Sequence, residues 1–229
     1  MSYKVVEIFD SLEGEGKRAG YPASFVRLAG CNLRCLYCDT MYAVDVNPGE
    51  YHKMHKAEIM SRLNQRFKRV TLTGGEPLIA CGVCDLVSEM LADGFEVNIE
   101  TNGSVDIQGF LSNLRTKPTE TNLFFTIDYK LPSSGVTDKM FDKNYLNLTP
   151  QDVLKFVVGS DYDIEVMINF MQYLKDLGVV SGQVFIGVVY GSYSLSSLAR
   201  AIIETPVLKD SRLQLQYHKI IWDPNIRGV

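Results

Sequence analysis

A chain of 229 residues allows one or two domains at roughly 150 residues apiece and is long enough to bury a sizeable core. With 46% apolar and 22% charged residues it has the balance of a globular protein and falls outside the disordered class. Its 23 Lys and Arg against 27 Asp and Glu leave a net charge of −4, the wrong sign for a partner bound by neutralising nucleic-acid phosphates.

Apolar, β-branched runs alternate with helical patterns along the chain. Tyr3–Phe9 and Ala23–Ala29 read as strands on either side of a loop with Gly14, Gly16 and Gly20. Glu7, Asp10, Glu13 and Glu15 in this stretch argue against a basic-then-apolar secretory leader, so a cytoplasmic protein is expected. His52 and His55 read as a solvated loop. Lys56–Lys68 predicts a helix, with Arg66, Lys68 and Arg69 as cations at its C-terminus. Arg69–Thr73 predicts a strand running into Gly74-Gly75-Glu76-Pro77. Asp85–Ala92 follows as a helix, and Phe95–Thr101 as a strand ending at Asn102-Gly103. Leu123–Asp128, Val153–Val158, Gln183–Val189 and Leu213–Tyr217 complete the strands. Ile164–Leu177 carries Ile164, Met167, Ile168, Met171, Leu174 and Leu177 at spacings of three and four, its methionines reading as core filling. Asp161 or Asp163 can cap this helix, and Gly178 stands just beyond its end.

Strands alternating with helices are the signature of a parallel sheet with crossover helices. Eight full βα units take ~250 residues. The fold class predicted is therefore α/β, an incomplete TIM-like barrel or open sheet in a single domain over residues 1–229. No apolar run approaches the ~18 residues of a membrane-crossing helix, so no membrane partner is expected.

Five cysteines, an odd number in a chain expected to stay in the cytoplasm, point to metal or catalytic use instead of a disulfide framework. Cys31, Cys35 and Cys38 fall on one short loop and can converge on a single centre. Structural zinc wants four ligands as two separated pairs, and no further Cys or His follows until His52 and His55. Iron–sulfur clusters are held by thiolates at such spacings, and three ligands on a cubane leave one iron open. The chemistry favours a [4Fe–4S] cluster and leaves zinc as the alternative. Cys81 and Cys84 read as ordinary packing.

The spacing Cys-x3-Cys-x-aromatic-Cys, with Tyr37 as the aromatic, resembles that of radical S-adenosylmethionine (SAM) enzymes. Gly74–Pro77 and Glu100-Thr101-Asn102-Gly103 resemble their second and third signatures. This likeness implies an open iron chelated by the methionine part of SAM. Gly74 and Gly75 would then permit close approach, and Glu76 would accept from the ammonium. A narrower resemblance, to the 7-carboxy-7-deazaguanine synthase family, spans the whole chain. It is carried by Glu7-Ile8-Phe9, the stretch from Ser11 to Gly16, Phe25-Val26-Arg27, Cys38-Asp39-Thr40 and Asp128–Gly135. Lys155–Val158, Gln216–Lys219 and Arg227-Gly228-Val229 extend it.

The resemblance implies a lyase, usually homodimeric, that contracts the ring of 6-carboxy-5,6,7,8-tetrahydropterin with loss of ammonia, on the route to queuosine and other 7-deazapurines. It implies SAM and Mg²⁺ as cofactors and flavodoxin or ferredoxin as electron donor. Carried over position by position, Leu12, Glu13, Gly14, Glu15, Arg27, Thr73, His218 and Val229 would contact substrate, with Arg27 on its carboxylate. Tyr37, Asp39, Gly74, Gly75, Glu76, Asn102, Asp128, Tyr129 and Lys130 would bind SAM, and Thr40 would hold Mg²⁺. Two departures stand out: Glu13 replaces the usual Gln, and Phe185–Tyr190 lacks the polar strand end of the family. The rival readings are a glycyl-radical-activating enzyme, which needs a protein partner, and a zinc-stabilised binding module without catalysis.

Overall fold

The computed structural model describes residues 1–119, 121–179 and 182–229. Its strands are β1 (Ser2–Leu12), β2 (Pro22–Leu28), β3 (His52–His55), β4 (Arg69–Gly74), β5 (Glu96–Thr101), β6 (Leu123–Tyr129), β7 (Val153–Val158), β8 (Gln183–Val188) and β9 (Arg212–Leu213). They form one 9-stranded sheet in the order β3-β1-β2-β4-β5-β6-β7-β8-β9. Every pairing from β2 to β9 is parallel, whereas β1 runs antiparallel to both β2 and β3. With β3 and β9 as free edges the sheet is open and does not close into a barrel. The helices are α1 (Met41–Val44), α2 (Lys56–Arg62), α3 (Val83–Ala92), α4 (Ile107–Ser112), α5 (Asp142–Leu146), α6 (Asp161–Asp176), α7 (Leu195–Glu204) and α8 (His218–Ile221). None is long and apolar enough to cross a membrane.

The two faces of the parallel strands differ in chemistry. Val70, Leu72, Val97 and Ile99 are fully buried in one cluster with Leu86, Val87 and Met90 of α3. The alternate residues are polar: Thr71 and Thr73 on β4, Asn98 and Glu100 on β5, Thr126 and Asp128 on β6, Lys155 on β7. Parallel strands covered on both faces normally read as continuous apolar runs. Polar alternation here means that the inner face lines a site.

A β-bulge adds one residue to that inner face. Val5 pairs with Leu28, and Glu7 pairs with Arg27, so the register slips by one between them. Val5 therefore packs in the core while Glu7 turns inward beside Arg27.

The structure corrects several local expectations. His52–His55 is not a loop but an edge strand, paired through backbone bonds to Ser2–Val5, which need no apolar pattern. The second helix stops at Arg62 instead of Lys68. Asn64 is drawn onto the β1–β2 hairpin, its N–H donating to Ser24 Oγ at 3.0 Å and its side chain to Asp10 at 2.7 Å. Lys68 does meet a helix C-terminus, but that of α3, donating to Asp93 O at 2.7 Å. Helix α6 is capped by Ser160, whose Oγ accepts from Asp163 N, and not by Asp161 or Asp163. Asp163 is instead fully buried and accepts from Ser133 N and Gly159 N. Met167 and Met171 are core residues, as their spacing predicts, while Leu177 is exposed. The last strand covers only Arg212–Leu213, because Gln214 turns inward to accept from Gly16 N at 2.7 Å.

That contact belongs to a floor. The segment between β1 and β2 doubles back across the inner face. Arg18 donates to Val70 O and Thr71 Oγ1, at the start of β4, and to Glu96 O at the start of β5. It also pairs with buried Glu13. Lys17 lies 3.6 Å from the centre of the Phe124 ring and donates to Gln151 O.

Candidate active site

Four strand ends meet opposite this floor. The cysteine loop leaves β2 and is stitched to the β4 exit, with Glu76 N donating to Gly30 O at 2.8 Å and Gly75 N to Leu28 O at 3.2 Å. A Cβ on Gly75 would lie 2.2 Å from Gly30 O and 2.8 Å from Cys31 Cβ, so only glycine permits this approach. On its other side the loop docks on the turn after β6, through Leu36 N to Ser134 O at 3.0 Å. Asn102, at the β5 exit, reaches Asn32 Oδ1 at 3.0 Å and faces Cys31 Sγ at 3.6 Å.

The three cysteines are thus framed by β2, β4, β5 and β6. Burial pushes the Cys31 and Cys35 thiols up, a desolvation that a coordinating metal would offset. Among the described residues, no three His, Cys, Asp or Glu side chains gather closely enough to hold a single ion. The histidines that a zinc tetrahedron would need sit on edge strand β3, where His55 Nδ1 faces Met1 O at 3.1 Å. Cys81 is exposed, and half-buried Cys84 faces Phe110 O.

Glu76 is 1% exposed, and its carboxylate accepts from Leu78 N, Asn102 N and the Thr101 hydroxyl. Of the roughly four lone-pair positions on a carboxylate, about one remains for a ligand. Burial outweighs these donors and pushes its carboxyl up to about 7. Lys130 donates to Asp128 Oδ2 at 3.0 Å. Burial raises Asp128, but Lys130 and Lys155 prevail and hold it below the usual carboxylate range. Two buried polar atoms here, Tyr37 Oη and Asp128 Oδ1, have no hydrogen-bond partner among the described residues. Asp39 is held low by Lys219, which donates to it at 3.1 Å, against the opposing effect of burial. Tyr129 is not directed at this end: it stacks on Phe170 at 3.9 Å between centroids and belongs to the packing against α6.

Inside the sheet, Lys155 pairs with Glu15, and Thr73 donates to Glu100 at 2.9 Å. Arg27 Nε donates to Glu7 at 2.6 Å. His218 crowds Gly14, where a Cβ would come 2.6 Å from its Nδ1, and burial lowers its pKa, favouring the neutral ring. Gly14 and Glu15 are brought to this interior; the Leu12 and Glu13 side chains are not. Leu12 lies at the Pro22 end of β2, on the strand face opposite Glu7, Phe9 and Ser11. Glu13 is consumed by Arg18 and Thr71 in the floor. The reason is the antiparallel direction of β1, which carries its end away from the cysteines. Glu13 and Glu15 consequently do not face one another as a carboxylate pair; each has its own cation.

Sequence reasoning quoted Glu7, Glu100 and Lys155 only within longer motifs, with no role of their own, and passed over Tyr42. The available signal was a charge inside an apolar strand run, as in Val-Leu-Lys-Phe-Val-Val. Tyr42 offers no such signal.

The radical SAM superfamily profile matches residues 26–194. A 7-carboxy-7-deazaguanine synthase from Clostridium acetobutylicum is 40% identical over 232 residues, covering 100% of both chains. Those of Chlorobaculum tepidum and Methanospirillum hungatei are 38% and 35% identical, over 98% and 96% of this chain and 96% and 86% of theirs. The crystal structure of QueE from Escherichia coli shares the fold with a TM-score of 0.67 at 24% identity, over 93% of each chain. Streptococcus suis SuiB bound to S-adenosylmethionine does so more distantly, with a TM-score of 0.54 at 14% identity over 81% of this chain and 47% of its own. With relatives matching from end to end, and a cysteine triad framed by parallel strand ends, the chain belongs to the 7-carboxy-7-deazaguanine synthase family of the radical SAM superfamily.

Proposed function

We propose that this protein converts 6-carboxy-5,6,7,8-tetrahydropterin to 7-carboxy-7-deazaguanine, using a [4Fe–4S] cluster, SAM and Mg²⁺. The observation that carries the reading is the 40% identity to a synthase over the full length of both chains. The polar interior beneath the cysteine loop supports it, because a pterin is planar and rich in hydrogen-bonding groups.

Cys31, Cys35 and Cys38 would hold the cluster, and the residues fit it: two thiols are desolvated, and Tyr37 Oη and Asp128 Oδ1 await partners beside them. When bound, the cluster and SAM supply the radical chemistry that abstracts hydrogen from the substrate. The protein supplies binding and orientation. Arg27 spends Nε on Glu7, which leaves its two Nη groups to grip a carboxylate. The Thr40 hydroxyl makes no helix-capping bond and lies 3.6 Å from Cys38 Sγ, free to join a hydrated Mg²⁺. Glu15, Glu100 and Thr73 can accept or donate along the pterin edge, and neutral His218 can do both. Buried Glu13 and Arg18 fill the lower end, and the C-terminal segment touches Gly14, Asp39, Tyr42 and Glu7, which supports substrate contact at Val229. Leu36, beside Cys35, is 82% exposed and marks the side from which a flavodoxin or ferredoxin would deliver its electron. A homodimer remains part of this reading.

The test is anaerobic reconstitution with iron and sulfide, then incubation with reductant, SAM, Mg²⁺ and the carboxytetrahydropterin. A brown protein and a product lighter than substrate by ammonia are expected. SAM cleavage without that product would shift the reading to a protein-activating enzyme. A colourless zinc protein would end the radical reading altogether.

A further inference from the structure

Around Tyr42, in the short helix α1 after the cysteine loop, three separate contacts converge. Its hydroxyl donates to Glu7 Oε1 at 3.1 Å, the same oxygen that receives Arg27 Nε at 2.6 Å. Two guanidinium groups approach its ring, that of Arg27 at 5.8 Å and that of Arg227 at 3.8 Å from the ring centre. Behind Arg227, a Cβ on Gly228 would stand 3.9 Å from Glu7 Oε2. Glu7 is there only because the β-bulge at Val5–Glu7 turns it inward. A register slip, a carboxylate with two donors and a cation stacked on an aromatic face thus serve one point.

We propose that Tyr42 is a positioning residue of the active-site mouth: through Glu7 it fixes Arg27, and by stacking against Arg227 it clasps residues 222–229 beside the opening. The two functions use different parts of the side chain. Hydroxyl and carboxylate set the angle of Arg27 through its Nε, which leaves the Nη groups for substrate. The ring face holds the tail, whose other bonds are local, Trp222 N to His218 O at 3.1 Å, Asn225 N to Asp223 Oδ1 at 2.9 Å and Ile226 N to Asp223 O at 3.0 Å, with the Lys219–Asp39 pair upstream. Arg227 is itself exposed and Ile226 is 53% exposed, so the tail has little burial to retain it. A guanidinium over a tyrosine face is attractive even at an exposed site.

The effect on substrate rests on the proposed synthase reading; the clasp does not, and the experiment separates them. Trp222 is the single tryptophan of the chain and lies half-buried in the tail. Its emission reports tail mobility through acrylamide quenching, in the reconstituted protein and without substrate. Arg227→Met and Tyr42→Leu should make Trp222 more accessible to acrylamide. Tyr42→Phe keeps the ring and should leave quenching at the parental level. In kinetics, Tyr42→Phe should raise KM for the carboxytetrahydropterin about tenfold, the worth of a hydrogen bond to a charged group, with kcat little changed. Arg227→Met should raise KM about threefold, in keeping with one exposed cation–π contact. KM for SAM should not move in Tyr42→Phe. Unchanged quenching in both Arg227→Met and Tyr42→Leu overturns the clasp, and an unchanged pterin KM in Tyr42→Phe overturns the fixing of Arg27. If the parental protein does not turn over the pterin at all, the synthase reading fails, while quenching still decides the clasp.

Discussion

Glu100 stands between Ile99, fully buried on the outer face of β5, and Thr101, yet its own carboxyl points inward, with Thr73 as its one donor among the described residues. Burial pushes its pKa up to about 7; Lys155 lowers it, and Glu13 and Glu15 add to the rise. A carboxyl whose pKa is higher folded than unfolded keeps its proton longest in the folded state. Between about 4.5 and 7 the folded chain therefore binds more protons at this site, and the stability due to it falls as pH rises through that window. Glu100→Gln removes this dependence. The variant should melt a few degrees above the parent at pH 8 and close to it at pH 4.5. Parallel melting curves across the range would show that Glu100 is already ionised when folded. The cysteines allow a second test at this scale. Cys35→Ala should lose brown colour and SAM cleavage on reconstitution, whereas Cys81→Ala, altered at an exposed thiol, should retain both. A Cys35→Ala protein that still cleaves SAM would remove the triad from the chemistry.

At the scale of elements, the end of β4 joins the sheet to the cysteine loop. Gly74 has φ +151°, and a Cβ there would stand 2.2 Å from Leu28 O. Gly75 would drive its Cβ into Gly30 O and Cys31 Cβ. The loop must then move, though the core need not. Gly75→Ala should keep the far-ultraviolet circular dichroism of the parent yet hold less iron per chain after reconstitution; full iron content would show that the loop has slack. Elements such as β4 were legible because an apolar run stops at glycine, and α6 because its apolar residues recur at helical spacing. Strand β3, His-Lys-Met-His, carries no such pattern; its partner β1 decides it. The cap of α6 was misplaced for a related reason. Ser160, Asp161 and Asp163 can all cap by type, and only the burial of Asp163 against Ser133 and Gly159 selects Ser160.

For the molecule as a whole, motifs at strand ends made the site legible from one direction only. The cysteines, Gly74–Glu76 and Asn102 are near-neighbour patterns, and their convergence follows from the parallel order of their strands. What lies beneath them depends on partners remote in sequence: Lys155 with Glu15, Gln214 with Gly16, Arg18 with Glu96. An open sheet leaves its inner face unfilled, and here the β1–β2 segment fills it. Arg18 is 5% and Glu13 1% exposed, and besides Glu13 the guanidinium donates to Val70 O, Thr71 and Glu96 O. Its Nε has no partner among the described residues, so the arrangement already carries one unsatisfied polar atom. Removing one member of a buried ion pair leaves a bare charge and costs about 3–5 kcal/mol, whereas replacing both by neutral groups is far milder. Arg18→Met alone should therefore lower the urea midpoint of the protein markedly, and Glu13→Gln alone should lower it less, because an amide can still accept from the guanidinium. The double variant should be more stable than Arg18→Met, although it carries one more change. Because the same segment delivers Gly14 to His218 and Glu15 to Lys155, Arg18→Met should also raise KM for the pterin before SAM binding suffers. Strictly additive losses in the double variant would mean that Glu13 and Arg18 are neighbours without being a pair, and that the floor is held by packing on Phe124 instead.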